Sequence, residues 1–116
     1  MPAGDSTKSM AYRIELSPLA FDEIDAIVEY IGRDSIENAY RWRTRLFEQI
    51  EKLDLMPRAC SLAPESEYGS IEVRQIIFGR YRVLFTIRDA DSLVYVLTIR
   101  HGARQFLTSD EIDKID

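Results

Sequence analysis

The segment IRHGARQF, residues 99–106, carries the only histidine of the chain, His101, directly after Arg100 and three residues before Arg104. An imidazole, with an ordinary pKa of about 6.5, is the side chain best suited to move a proton at neutral pH. Arginine offers a planar fork for phosphate or carboxylate. Two readings of His101 follow: a proton-transfer group at the rim of a site, or the polar residue where a strand meets solvent. Other chemistries find less support. Cys60 is the single cysteine, so no internal disulfide forms, and one cysteine with one histidine is too few for a zinc site within one chain. No glycine-rich phosphate loop, serine-nucleophile motif or acidic metal cluster stands out, and no cofactor is expected.

The net charge of −5 argues against a chain whose whole surface clings to nucleic acid. Its distribution is uneven. From Glu15 to Glu37 seven acids face one base, Arg33, whereas from Ile71 to Arg104 six arginines face three acids. An acidic helical side and a basic sheet side are expected.

The chain of 116 residues suits one domain with one core. No run is long and apolar enough for a membrane span, and MPAGDSTKSM lacks the apolar core of a signal peptide, so a cytoplasmic protein is expected. Residues 1–9 read as a disordered tail, with Met10 as an alternative start. YRIEL, residues 12–16, alternates as a half-buried strand does. Ser17-Pro18 then opens a helix whose apolar stripe is Ala20, Ile24, Ile27, Val28 and Ile31, with Gly32 as its expected C-terminal cap. Ser35 caps a second helix carrying Ala39, Trp42, Leu46, Ile50 and Leu53, up to Met56-Pro57. The short connection makes an antiparallel helical hairpin. Residues 57–70 read as a loop. IEVRQIIF (71–78), YRVLFTIR (81–88) and LVYVLTIR (93–100) form a three-stranded antiparallel meander joined by hairpin turns. Thr108 or Ser109 caps one last short helical turn. The expected class is α+β: an N-terminal strand, the helical hairpin, then the meander, completing one sheet.

Pairing residue 78 with 81, and 88 with 93, puts positions 74, 85 and 96 on one face. That face also carries Tyr81 and Arg100, so Arg74 and Arg100 point to the same side, with Tyr81 directly opposite Arg100. His101 points away from Arg100. A one-residue slip would reverse any of these assignments.

The order of these pieces resembles the toxins of the RelE/ParE superfamily from bacterial type II toxin-antitoxin systems. The residues that carry the resemblance are YRIELSPLAFDEIDAIVEYI, LDLMPR, EVRQIIFGRYRVLFTIR and VLTIRHGAR, and it spans residues 10–106, leaving 107–116 as a C-terminal tail. It implies a cognate antitoxin that wraps the toxin, with a toxin-antitoxin heterotetramer as one such assembly. Targets divide. RelE-type members cleave messenger RNA in the ribosome; ParE-like members inhibit DNA gyrase.

For a metal-independent ribonuclease, the resemblance matches Arg74 and Arg100 to phosphate-stabilising positions, His101 to base or acid, and Tyr81 to substrate orientation. For a gyrase inhibitor, the contact surface is the helical hairpin, residues 18–55, with Arg41, Arg43 and Arg45 facing a protein partner and Arg104 adding charge. The loop 57–70 has no lysine and carries Glu65 and Glu67, and the whole chain is acidic. Both features depart from a ribosome-bound nuclease. The expectation is ParE-like inhibition of gyrase, with a RelE-type ribonuclease as the alternative.

Overall fold

A computed structural model describes residues 11–67 and 71–115; the expected tail 1–9 and the alternative start Met10 lie outside them. The elements run β1 (Arg13–Leu16), α1 (Pro18–Gly32), α2 (Ile36–Glu51), β2 (Ser61–Leu62), β3 (Arg74–Phe78), β4 (Tyr81–Arg88), β5 (Leu93–His101) and α3 (Ser109–Asp113). The strands form one sheet in the order β1-β5-β4-β3-β2, antiparallel except for the parallel pair β1 and β5.

Local chemistry accounts for most boundaries. The Ser17 hydroxyl accepts the Ala20 N–H at 3.0 Å and Pro18 follows, while the Ser35 hydroxyl accepts the Asn38 N–H at 3.1 Å. Gly32 departs from expectation: it is the last helical residue, and a right-handed Arg33 closes α1 by donating its N–H back to Glu29 and Tyr30. Gly79 does need its freedom, turning the β3–β4 hairpin at φ +59°. Thr108 and Glu111 exchange a reciprocal capping box at the start of α3.

Each face of the sheet buries a core. On the helical side Val83, Phe85, Val94, Val96 and Ile99 meet Ala20 and Ile24 of α1 and Leu46 and Ile50 of α2. On the other side Leu84, Leu93, Tyr95 and Leu97 are covered by Ala63, Val73 and Ile112. The loop and the tail therefore supply the second layer. That is why β4 and β5 read as nearly continuous apolar runs rather than alternating ones.

Two features correct the sequence expectations. The segment 57–67 is not a featureless loop, for it holds a 3-10 turn, Pro57–Ala59, the edge strand β2 and a second 3-10 turn, Pro64–Ser66. Within that last turn Glu65 is a core residue, not a surface acid. Its carboxylate accepts both Nη1 (3.0 Å) and Nη2 (2.6 Å) of Arg82, plus the Leu107 N–H at 3.2 Å. Arg82 Nε donates to Gln75 at 3.0 Å, and Phe106 lies against the guanidinium at 5.2 Å. One ion pair thus ties the loop, β3, β4 and the tail together.

The second correction is a β-bulge. The expected pairs, Phe78 with Tyr81 and Arg88 with Leu93, both hold, but the β4–β5 register shifts between Leu84 and Phe85. Phe85 faces Val96 and Leu84 faces Thr98, so Leu97 is the extra residue. Beyond it every assignment on β5 reverses: Tyr81 faces His101, and Arg82 faces Arg100. The bulge occurs where β1 ends, and α1 takes over the exposed edge. Ser17 donates its hydroxyl to the Leu97 carbonyl at 2.6 Å, and Glu23 accepts the Ile99 N–H at 2.9 Å and the Thr98 hydroxyl at 2.7 Å.

Burial alone would raise the Glu65 carboxyl, but the bonds from Arg82 and from backbone N–H groups outweigh it and hold it below the ordinary carboxylate range. A lowered folded pKa contributes stability that is present above the unfolded value of about 4.3 and is lost as pH falls through the folded one. Glu65→Ala, which strands a buried guanidinium, should cost about 3–5 kcal/mol in urea unfolding at neutral pH. The double variant Glu65→Leu with Arg82→Met should recover most of that loss; an equally unstable double variant would contradict the assignment.

Candidate functional site

The four residues matched to catalysis do not converge. Tyr81 and His101 do meet, with ring centroids 5.6 Å apart in an edge-on arrangement. Tyr81 is in turn edge-on to Trp42 at 5.5 Å, and Trp42 to Phe78 at 5.9 Å. His101 is exposed, and its Nδ1 accepts the Ala103 N–H at 3.0 Å. That bond leaves the ring hydrogen on Nε2, facing outward as a donor. Gly102 makes this strand end tight: its N–H donates to the Arg80 carbonyl at 2.7 Å, and a Cβ there would sit 3.3 Å from the same oxygen.

Arg74 is elsewhere and committed. Its Nη1 donates to the carbonyls of Cys60 (2.6 Å) and Arg58 (3.2 Å), and its Nε to Glu72 at 3.1 Å. It clamps the 57–62 segment onto the sheet. Arg100, expected on the same side as Arg74 and opposite Tyr81, lies on the reverse face because of the bulge. Its Nη2 donates to the Gln105 carbonyl at 2.9 Å, and its side chain lines a cleft with Glu23, Arg104 and Leu107. Burial and the neighbouring Arg104 push its guanidinium below its ordinary value, although it remains a cation at neutral pH.

The arginines matched to partner binding also divide. Arg41 and Arg45, one helical turn apart, line a shallow cleft with Trp42, Phe78 and Gly79, beside the Tyr81 ring. Arg41 reaches Asn38 at 3.1 Å. Arg43 turns away and stacks on Phe47 at 4.6 Å. Arg104 belongs to the Arg100 cleft. The Arg41–Trp42–Arg45 cleft joins the Tyr81–His101 rim through shared aromatic contacts, which makes one basic and aromatic surface at the end of the hairpin. It can take an acidic or aromatic protein surface. Among the described residues no set of three or more His, Cys, Asp or Glu side chains is placed to hold a metal ion.

Sequence reading missed Glu65, Arg82 and Glu23. One signal was present: Arg82 interrupts a run, YRVLFTI, that is otherwise apolar enough to be buried on both faces, and a buried cation needs a partner. Nothing local marks Glu23, whose partners lie 75 and 76 positions away.

With this geometry in hand, comparison with known proteins is specific. The family model described as the ParE toxin of the type II toxin-antitoxin system, parDE, matches residues 14–106. The chain belongs to the ParE toxin family. A search of curated proteins by sequence finds no match. By structure, the chromosomal ParDE toxin-antitoxin system of P. aeruginosa is similar with a TM-score of 0.64 at 19% identity, over 80% of this chain and 97% of that one. The archaeal RelE-RelB complex of Pyrococcus horikoshii OT3 gives 0.58 at 15% identity, over 83% and 100%. A mutant of the E. coli toxin RelE in the free state gives 0.55 at 19% identity, over 81% and 86%. These likenesses show the fold of the RelE/ParE superfamily, as the ParE toxin family match leads one to expect.

Burial raises the Glu23 carboxyl above its ordinary range, against the bonds from Thr98 and Ile99 and the charges of Arg100 and Arg104. A raised folded pKa means that its stabilising contribution is complete below the unfolded value and is lost as pH rises through the folded one. Glu23→Gln keeps an acceptor and discards the charge. In chemical denaturation at neutral pH it should be at least as stable as the parent ParE toxin, with the difference shrinking as pH falls through the carboxylate range. Glu23→Ala should instead lose about 1–3 kcal/mol, because the Ile99 N–H and Thr98 hydroxyl lose their acceptor. A clearly less stable Gln variant at neutral pH would contradict this.

Proposed function

We propose that this ParE-family toxin is neutralised by a cognate antitoxin and arrests growth by inhibiting DNA gyrase through protein contact rather than by cutting RNA. The observation that carries the reading is the division of the cations. Phosphoryl transfer from a ribose 2′-hydroxyl needs cationic donors converging on the phosphate beside the base. Here Arg74 is bonded to loop carbonyls and Glu72, and Arg100 lies on the other face of the sheet from His101. The surface that does combine cations with aromatic rings, Arg41, Trp42 and Arg45 beside Tyr81, has the chemistry of a protein contact.

The RelE-type alternative draws its support from the edge-on Tyr81–His101 pair with an outward Nε2–H. That pair offers an acid and an orienting ring. Among the described residues no cation is bonded to it.

A supercoiling assay with purified gyrase and relaxed plasmid, run beside an mRNA-cleavage assay on translating ribosomes, tests the proposal. The expected result is loss of supercoiling at saturating toxin, intact message, and inhibition that survives His101→Ala. Arg41→Glu with Arg45→Glu should weaken inhibition about tenfold or more by reversing the charge of the contact. Normal supercoiling together with His101-dependent cleavage would overturn it in favour of the ribonuclease.

A further inference from the structure

The Arg100 cleft plays no part in the gyrase reading, yet it has the features of a built site. Arg100 is only 8% exposed, and its Nε is wholly buried without a hydrogen-bond partner. An N–H of a buried cation left without an acceptor is costly, so such groups are normally satisfied. The acids around it are bonded elsewhere: Glu23 accepts from Thr98 and Ile99, Glu111 from the Thr108 N–H, and Glu65 from Arg82 and Leu107. Arg100 therefore sits at a cleft of about 520 Å³ with donor capacity that the fold does not use.

The surroundings select the class of ligand. Arg100, Arg104 and Lys114 line the cleft together with Glu23 and Glu111, three cations against two carboxylates. An excess of one positive charge suits one carboxylate. A phosphodiester chain would bring several negative charges toward Glu23 and Glu111, which repel them. Leu19 and Leu107 add apolar walls, which favour aliphatic neighbours on either side of the acid. We propose that this cleft recognises a single Glu or Asp side chain, flanked by aliphatic residues, presented by a partner protein, with Arg100 as its anchor and Arg104 as the second cation. The proposal holds whether the toxin acts on gyrase or on the ribosome.

The test uses the full chain, with the arginine Nε–H resonances followed by NMR during titration. The probes are the peptide acetyl-Leu-Glu-Leu-amide, its neutral counterpart acetyl-Leu-Gln-Leu-amide, and inorganic phosphate. The glutamyl peptide should move the Arg100 Nε–H signal saturably, and the glutaminyl peptide should bind about tenfold more weakly or worse, since a charge-assisted bond is lost. Arg104→Gln should weaken the glutamyl peptide several-fold, and Arg100→Lys, which keeps the charge but not the fork, should abolish binding. Should Arg100→Lys fail to fold by circular dichroism, the exposed Arg104→Gln and Lys114→Gln variants carry the comparison. No saturable shift, equal affinity for both peptides, or tighter binding of phosphate than of the glutamyl peptide would each overturn the proposal, the last by making the cleft a phosphate site.

Discussion

One extra residue in β5, Leu97, and the hold that α1 has on it decide how the chemistry-bearing residues of this protein are distributed. A β-bulge leaves backbone groups out of the ladder and reverses the side-chain alternation beyond it. In this ParE-family toxin the edge of β5 is served by the first turns of α1: Ser17 both caps the helix and donates to the Leu97 carbonyl, and Glu23 accepts from Thr98 and Ile99. The same contacts fix α1 on the sheet and send Arg100 to the face covered by the loop and the C-terminal tail. His101 is thereby placed beside Tyr81 and the aromatic rim of α2.

The second layer of the molecule depends on a different kind of contact. The loop 57–67 and the tail after His101 have few apolar residues of their own, and they meet over the Arg82–Glu65 pair. A buried pair of this sort is weak evidence for net stability, but breaking it is expensive, so it specifies where those segments sit. Arg74 does the same from the helical side of the sheet by binding the carbonyls of Arg58 and Cys60. Several arginines that could have served phosphate chemistry are thus occupied in holding irregular chain against the sheet. The Arg41–Arg45 ridge and the cleft that Arg100 and Arg104 line lie apart from these clamps.

Much of this was legible in the residues. The Ser17-Pro18 and Ser35 caps, the two apolar stripes, the hairpin turn at Gly79, the strands β4 and β5 and the Thr108 cap could be read from local pattern, because caps, turns and periodicity act over a few positions; the superfamily came from the resemblance of their order. The face of Arg100 could not. Both hairpin turns pair as expected, and the register changes within the strand, for the benefit of Ser17 and Glu23 far away in the chain. Glu65 was illegible for a related reason: in sequence it is an acid in a proline-containing loop, and only the arrival of Arg82 and Leu107 makes it core. The expected placement of Arg100 on the face of Arg74 and Tyr81 did not hold because it assumed an unbroken alternation.

The β4–β5 register decides where these side chains lie. A nuclear Overhauser spectrum of the labelled protein measures it directly through the aromatic protons. Cross-peaks between the His101 and Tyr81 rings, with none between Tyr81 and the Arg100 side chain, are the result the account predicts. Cross-peaks from the Tyr81 ring to the Arg100 side chain, with His101 on the opposite face, would contradict it and bring the cations back beside Tyr81, as a ribonuclease requires.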